Sequence, residues 1–317
     1  MEATMEESTS YCQFSSNEQI SRTILTTELP CVPRVIMNEN VQTKSKVTIR
    51  SSMQIFEKIN SWLSKTDKIV FRKYSQLGHL LDLPWKGKFW GTLSHQIIAR
   101  RINCQKKHEL WFLINGKPVR FSIQEFAIVS GLYTSGELTP KELNVVSSNN
   151  NLKNKYFNDR SIKIEDVANV LDNIPKDERT KDRVKLCFIY LLSAFLLNSS
   201  VGTTIDLSWL RLVDNLEIFD KYPWGRLVYE KIVDQITRVK FQKDHNVDMI
   251  RWNFICCPWI FQIWICEAMP KLGEMIGQRI PGNHIPRWIG WNINVKVQNI
   301  TVARISKVIE EDDEFFV

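Results

Sequence analysis

No CxxC pair occurs among the seven cysteines of this 317-residue chain, which stand at 12, 31, 104, 187, 256, 257 and 266. An odd number without that spacing argues against a disulfide framework and against zinc fingers or ribbons. Most of them read as small apolar core residues in a reducing compartment. The five histidines, at 79, 95, 108, 245 and 284, never stand three or four residues apart, so no helix face offers a histidine pair to a metal. GxxxxGK[ST] and GxGxxG are both missing, and with them the usual phosphate cradles. No GxSxG marks a nucleophile elbow. No cofactor, no metal and no enzyme chemistry are expected.

Long apolar runs are lacking too. LCFIYLLSAFLL covers 186–197 and FICCPWIFQIWICEAM covers 254–269, both short of the roughly 20 residues that cross a bilayer. They read as buried helices, and no membrane partner is expected. Residues 1–20 are polar and acidic, unlike a secretory leader or a transit peptide.

What the chain does have is apolar area and an uneven charge. Hydrophobic residues make up 44%, with eleven Trp and sixteen Phe, enough for a large core. Residues 1–44 carry net −3 and residues 308–317 net −5, so residues 45–307 hold +15 against a total of +7. A basic body suits an acidic partner, nucleic acid or protein. A Lys-rich solvated surface accounts for the same charge.

Periodicity assigns most of the body to helices. Ile55, Ile59, Trp62 and Leu63 share one face. Further helices are expected over 69–81, 92–102, 162–170, 184–197 and 208–219, over a stretch opened by Pro223, and over 258–269 from Pro258 to Pro270. Residues 134–160 read as a long exposed loop open to proteases, and 278–300 as irregular or weakly stranded. The period changes in LWFLINGKPVRFSI, where Asn115-Gly116 between apolar runs predicts a β-hairpin near 110–122. Beyond it stands FSIQEFAIVSGL (121–132). Ser122 and Glu125 make a capping box, Phe121 and Phe126 a staple, and Gly131 a left-handed C-terminus against which Leu132 packs. Phe126 and Val129 face inward, and Ala127 and Ile128 widen that stripe. All of this has a folding explanation.

The basic run ARRINCQKKH (99–108) is the one candidate patch. Arg100, Arg101, Lys106 and Lys107 sit near a helix end, where positive charge complements the dipole. They are also candidate phosphate contacts. Cys257, followed by Pro in an apolar run, has surroundings that raise a thiol's pKa and make it inert.

Five segments, ELWFLINGKPVRFSIQEFAIVSGL, KDRVKLCFIYLL, VDNLEIFDKYPWGRLVYEKI, CPWIFQIWICEAMPKLG and IPRWIGW, in this order resemble the plant domain-of-unknown-function family DUF1985. Arg120, Phe121, Ser122, Glu125, Phe126, Gly131 and Leu132 match a first motif, RFSxxEFAxx[ST]GL. Tyr222, Pro223, Trp224, Gly225 and Arg226 match a second, YPWGR. Pro258, Gln262, Trp264, Glu267, Ala268 and Pro270 match a third, PxxxQxWxxEAxP. The resemblance covers about 75–292. It departs before the third motif, where Cys256-Cys257 replaces a common Gly-Phe. It implies a plant origin, a link to transposable elements and frequent fusion to a cysteine protease domain of the kind that processes SUMO. The expected address is nucleus or cytoplasm, with the nucleus favoured by the resemblance, and the resemblance supplies no catalytic residues.

The expected architecture is mainly α, within the α+β class: a single multi-helix domain at 45–307 with one hairpin, between a disordered tail (1–44) and an acidic end (308–317). The expected function is a non-catalytic interaction or targeting module with a protein partner. A nucleic-acid-associated protein, or the front part of a peptidase whose catalytic domain is missing, are the alternatives.

Overall fold

Lys44–Ile49 forms a strand, β1, in the computed structural model of the chain. Helices α1 (Ile55–Trp62), α2 (Lys65–Lys73) and α3 (Gly91–Ala99) come after it, then strands β2 (Arg101–Ile102), β3 (Leu110–Ile114) and β4 (Lys117–Phe121). A helical stretch comes next: α4 (Ile123–Ser130), α5 (Pro140–Ser148), α6 (Asn151–Tyr156), α7 (Ile164–Asn173), α8 (Asp182–Leu191), α9 (Leu207–Asp214), α10 (Leu216–Lys221) and α11 (Trp224–Arg238). Strands β5 (Lys243–Asp244) and β6 (Val247–Phe254) lead into α12 (Pro258–Ala268) and α13 (Pro270–Ile276). Two short strands, β7 (Gln278–Arg279) and β8 (Trp291–Asn292), and α14 (Val302–Glu311) close the order. The structure describes residues 35–36, 44–83, 86–104, 106, 108–157, 161–175, 181–198, 204–239, 243–244, 247–293 and 300–311, all within one compact unit, Pro33–Val317. Most of the expected 1–44 tail and the last six residues lie outside these.

The molecule is mainly helical, with more strand than the single hairpin expected. That hairpin is β3–β4, in register from Leu110↔Phe121 to Ile114↔Lys117. Asn115 and Gly116 both have positive φ, 45° and 71°, as a tight turn of matching twist requires. Pro118 sits on the edge strand of the order β2-β3-β4, where its missing N–H breaks no ladder bond. A second sheet, β1-β6-β5, pairs β1 with β6 in parallel. Ile250, Trp252 and Phe254 of β6 point inward while Arg251 and Asn253 stay exposed.

Several expected helices are shorter. Helix α2 ends at Lys73, and a separate 3-10 turn covers Gly78–Asp82. A Cβ at 78 would stand 2.8 Å from the Cα of Arg72, so the chain folds back on itself where a continuous helix was expected. Helix α3 ends at Ala99, and Arg101–Ile102 pairs with β3. The 208–219 helix is two helices, because Asn215 accepts the amides of Glu217 and Ile218 and caps α10. The expected 134–160 loop contains α5 and α6. Thr139 and Glu142 cap α5 reciprocally, with Pro140 in its first turn. Pro270 opens α13, which carries Gly273 inside it. Helix α14 runs across the boundary expected at 307 and buries Ile305 and Ile309.

Helix α12 is apolar and buried on nearly every side, with Glu267 its one residue that is not buried. Its Trp264 ring lies 5.0 Å from Phe121 and 5.5 Å from Phe112. Phe121 and Phe126 in turn meet Tyr229 of α11 at 5.7 and 5.5 Å. The hairpin, α4, α11 and α12 therefore share one aromatic core, and the three sequence motifs come together.

Candidate functional site

The first motif builds its helix as its residues dictate. The Ser122 Oγ accepts the Gln124 amide at 3.2 Å, and the Ser122 amide donates to Glu125 Oε2 at 2.7 Å. Arg120 donates to the other carboxylate oxygen of Glu125 at 2.7 Å. Burial pushes the Glu125 carboxyl up, but the hydrogen bonds from Ser122 and Arg120 outweigh it and hold it below the ordinary glutamate value. Gly131 closes the helix in the left-handed region at φ 68°. Leu132 is buried.

The second motif clasps the chain that leaves α4. The Gly225 amide donates to Tyr133 O at 2.9 Å, and Arg226 Nε to Thr134 O at 2.9 Å. Trp224, fully buried, donates to Phe219 O at 2.8 Å. Pro223 stands one position before the first residue of α11, serving as its cap. Gln76, which no sequence pattern singles out, ties the two motifs. Its side chain accepts the Tyr133 amide at 2.7 Å and donates to the carbonyls of Asp220 and Tyr222 at 2.6 and 2.9 Å.

The third motif is a brace with an open end. Pro258 and Pro270 stand at the starts of α12 and α13. Gln262 is fully buried, accepting the Trp90 amide at 2.6 Å and donating to Lys88 O at 3.1 Å. Glu267 gathers three donors. Trp291 Nε1 lies 2.6 Å from its Oε1, Arg279 Nη2 lies 3.2 and 3.0 Å from its two oxygens, and Arg287 Nε lies 3.5 Å from Oε2.

Between α4 and α12 these groups enclose a cleft of about 450 Å³, lined by Glu125, Ile128, Val129, Trp264, Glu267, Ala268, Arg279 and Arg287. That is within the size range of ligand pockets. Ile128 does not join the buried stripe as expected but is 54% exposed beside the cleft. Arg279 and Arg287 come from the stretch expected to be irregular. The one sequence signal near them is the family-like segment IPRWIGW, which contains Arg287.

The basic run does other work than expected. Arg100 is buried and donates to the carbonyl and side chain of Gln96 and to Ser306 Oγ. Burial lowers its guanidinium to about 10, against the pull of Glu310. Arg101 donates to the Ile236 carbonyl and, at 3.3 Å, to that of Thr237, at the end of α11. Arg100 is thus turned into the fold, and Arg101 is half-buried and tied to the end of α11. Lys106 is exposed and pairs loosely with Glu109 at 3.5 Å, and Lys107 lies outside the described residues.

Cys187, Cys256, Cys257 and Cys266 are buried, Cys104 is half-buried, and all five are free. Burial raises the thiol of Cys256 to about 11 and those of Cys187, Cys257 and Cys266 further, which leaves little thiolate for nucleophilic attack. Among the described residues no cluster of three metal-ligating side chains is found, and no helix is long and apolar enough to cross a membrane.

Residues 98–235 match the family model described as Domain of unknown function (DUF1985). This segment is a DUF1985 domain. The matched range holds the first two motifs and the whole hairpin, and is narrower than the 75–292 expected from the resemblance. The third motif lies beyond it yet packs on the DUF1985 aromatic core through Trp264. No curated protein and no solved structure matches the chain.

Proposed function

We propose that the chain is a non-catalytic interaction module that presents the cleft between α4 and α12 to a protein partner. The observation that carries this reading is the pairing of both carboxylates in the cleft. Glu125 is held by Arg120 and Ser122, and Glu267 by Arg279, Arg287 and Trp291. The hydrogen bonds from Ser122 and Arg120 hold the Glu125 carboxyl below its ordinary value, which makes it a poor proton-transfer group, because a general acid or base needs a pKa near the working pH. An exposed isoleucine beside them favours docking. The targeting role in a plant protein related to transposon-derived SUMO-protease-like proteins, acting in the nucleus, belongs to the same proposal and comes from the family resemblance.

Two measurements test it. The purified chain should leave SUMO conjugates uncleaved, and turnover would sink the reading. Cross-linking in plant nuclear extract should capture partners whose yield drops with surface substitutions. Indifference to all of them would count equally against it.

A further inference from the structure

We propose that the cleft takes an acidic peptide segment of a partner protein, seating an apolar side chain against Ile128 and a neighbouring carboxylate on Arg279 and Arg287. This rests on the interaction-module reading and specifies its ligand. The argument is one of unused hydrogen-bonding capacity. The Glu125 carboxylate receives Arg120 and the Ser122 amide, one on each oxygen. The Glu267 carboxylate receives Trp291 on one oxygen, Arg287 on the other and Arg279 on both. The Glu267 carboxylate is therefore filled, and Glu125 is neutralised by Arg120.

The donors are not all used. A guanidinium carries five N–H groups on three nitrogens. Arg279 uses only Nη2 among the described residues, leaving Nε and Nη1, and its side chain is 49% exposed. Arg287 uses Nε on Glu267 and Nη1 on Asn283 at 2.8 Å, leaving Nη2. Two guanidiniums share one carboxylate, so this end of the cleft is a net positive, donor-only site. It complements a carboxylate and repels a cation.

Apart from Glu125 the rest of the lining is apolar: Val129, Ala268, Trp264 and the exposed Ile128. Ile280 and Ile285, chain neighbours of the arginine-bearing segments, are 38% and 71% exposed. Apolar surface next to paired, half-free arginines suits a peptide that alternates the two chemistries. The rigid setting, with α4 and α12 fixed by the shared aromatic core, keeps the ordering cost on the protein side low.

The test is selection of displayed random dodecapeptides on the immobilised chain, with Ile128→Asp as counter-selection. Ile128 is exposed, so that variant should keep the wild-type melting temperature and near-ultraviolet spectrum. Peptides enriched on the wild type should carry Asp or Glu within a few residues of Leu, Ile or Phe. In fluorescence anisotropy the best of them should lose about tenfold or more in affinity with Ile128→Asp, with Arg279→Gln, and when its acids become amides. Its binding should also weaken with salt.

No enrichment over the counter-selection, enriched peptides without acids, or indifference to Arg279→Gln would overturn the proposal. Enrichment seen only with a chain ending at Glu311 would assign the cleft to this chain's own acidic end. Concentration-dependent association abolished by Ile128→Asp would assign it to a second copy. Cross-linked partners that persist with Ile128→Asp would overturn the cleft as the docking site, and with it the acidic-peptide proposal, and leave only a non-catalytic interaction module that uses another surface. Absence of any partner would remove the reading itself.

Discussion

The Gly225 amide sits 2.9 Å from the Tyr133 carbonyl, so the first turn of α11 lies flat against the chain leaving α4. A Cβ at 225 would stand 2.8 Å from both Leu132 Cβ and Tyr133 O. The glycine of the second motif is thus explained by the leucine that ends the first.

Gly225→Ala should destabilise the protein. Overpacking a tight contact costs about 1–3 kcal/mol, and the better helix propensity of alanine returns up to about 1 kcal/mol. A net loss of about 1–2 kcal/mol in urea unfolding is expected. An unchanged midpoint would mean that the 132–133 segment yields freely, and the clasp between the motifs would be unimportant.

Gln262→Met should loosen the 88–90 segment. The substitution keeps the length of the side chain and removes both hydrogen bonds, orphaning the Trp90 amide and the Lys88 carbonyl. An unmade buried bond costs about 1–3 kcal/mol, and because the orphaned groups of Lys88 and Trp90 lie on a less buried segment than Gln262 the two losses should total about 2–3 kcal/mol. Hydrogen exchange at the Trp90 amide should rise with the loss of stability. Protection equal to wild type would refute the brace.

Arg101→Met should lower stability rather than change nucleic-acid binding. Hydrogen bonds from a charged donor are worth about 1.5–3 kcal/mol, and the α11 carbonyls of Ile236 and Thr237 would lose theirs. A loss of about 2 kcal/mol is expected, with DNA retention at low salt unchanged. Weakened retention with stability intact would instead make Arg101 a phosphate contact.

The sequence made the local features legible. Asn115-Gly116 and the Ser122–Glu125 box act within a few residues, so their outcome depends little on the rest of the chain. The second sheet was less visible. Its β1 strand, KSKVTI, is only half-buried at its apolar positions and carries a weak pattern. In β6 the alternation of Ile250, Trp252 and Phe254 runs straight into the apolar run of α12, which masks it. Gln76 and the cleft arginines were invisible for another reason. Their partners stand far along the chain, and a polar residue that closes a long-range contact has no periodic signature. Arg101 misled because a basic cluster after a helix looks solvated until the end of another helix is placed over it.

His79 should make the protein acid-sensitive. Its Nε2 lies 2.8 Å from the Ser130 carbonyl, and a carbonyl only accepts, so this nitrogen carries the proton of the neutral ring. Adding a second proton charges a side chain packed beside Gly131, where its Cε1 lies 3.3 Å from a would-be Cβ. Burial pushes the imidazole below its ordinary value, outweighing the hydrogen bonds at Ser130 and Gln76 and the charge of Asp82. The unfolded chain therefore binds a proton that the folded chain refuses. Stability from this residue is complete above the unfolded value of about 6.5 and is lost as pH falls from there towards the folded value. The slope from one such proton is at most about 1.4 kcal/mol per pH unit. His79→Gln keeps a donor able to reach Ser130 and removes the titration. Urea unfolding at a series of pH values below 6.5 should show a shallower loss for the variant than for the wild type. Parallel curves would mean that the imidazole is as free to protonate in the fold as out of it, and that the α4 terminus tolerates the charge.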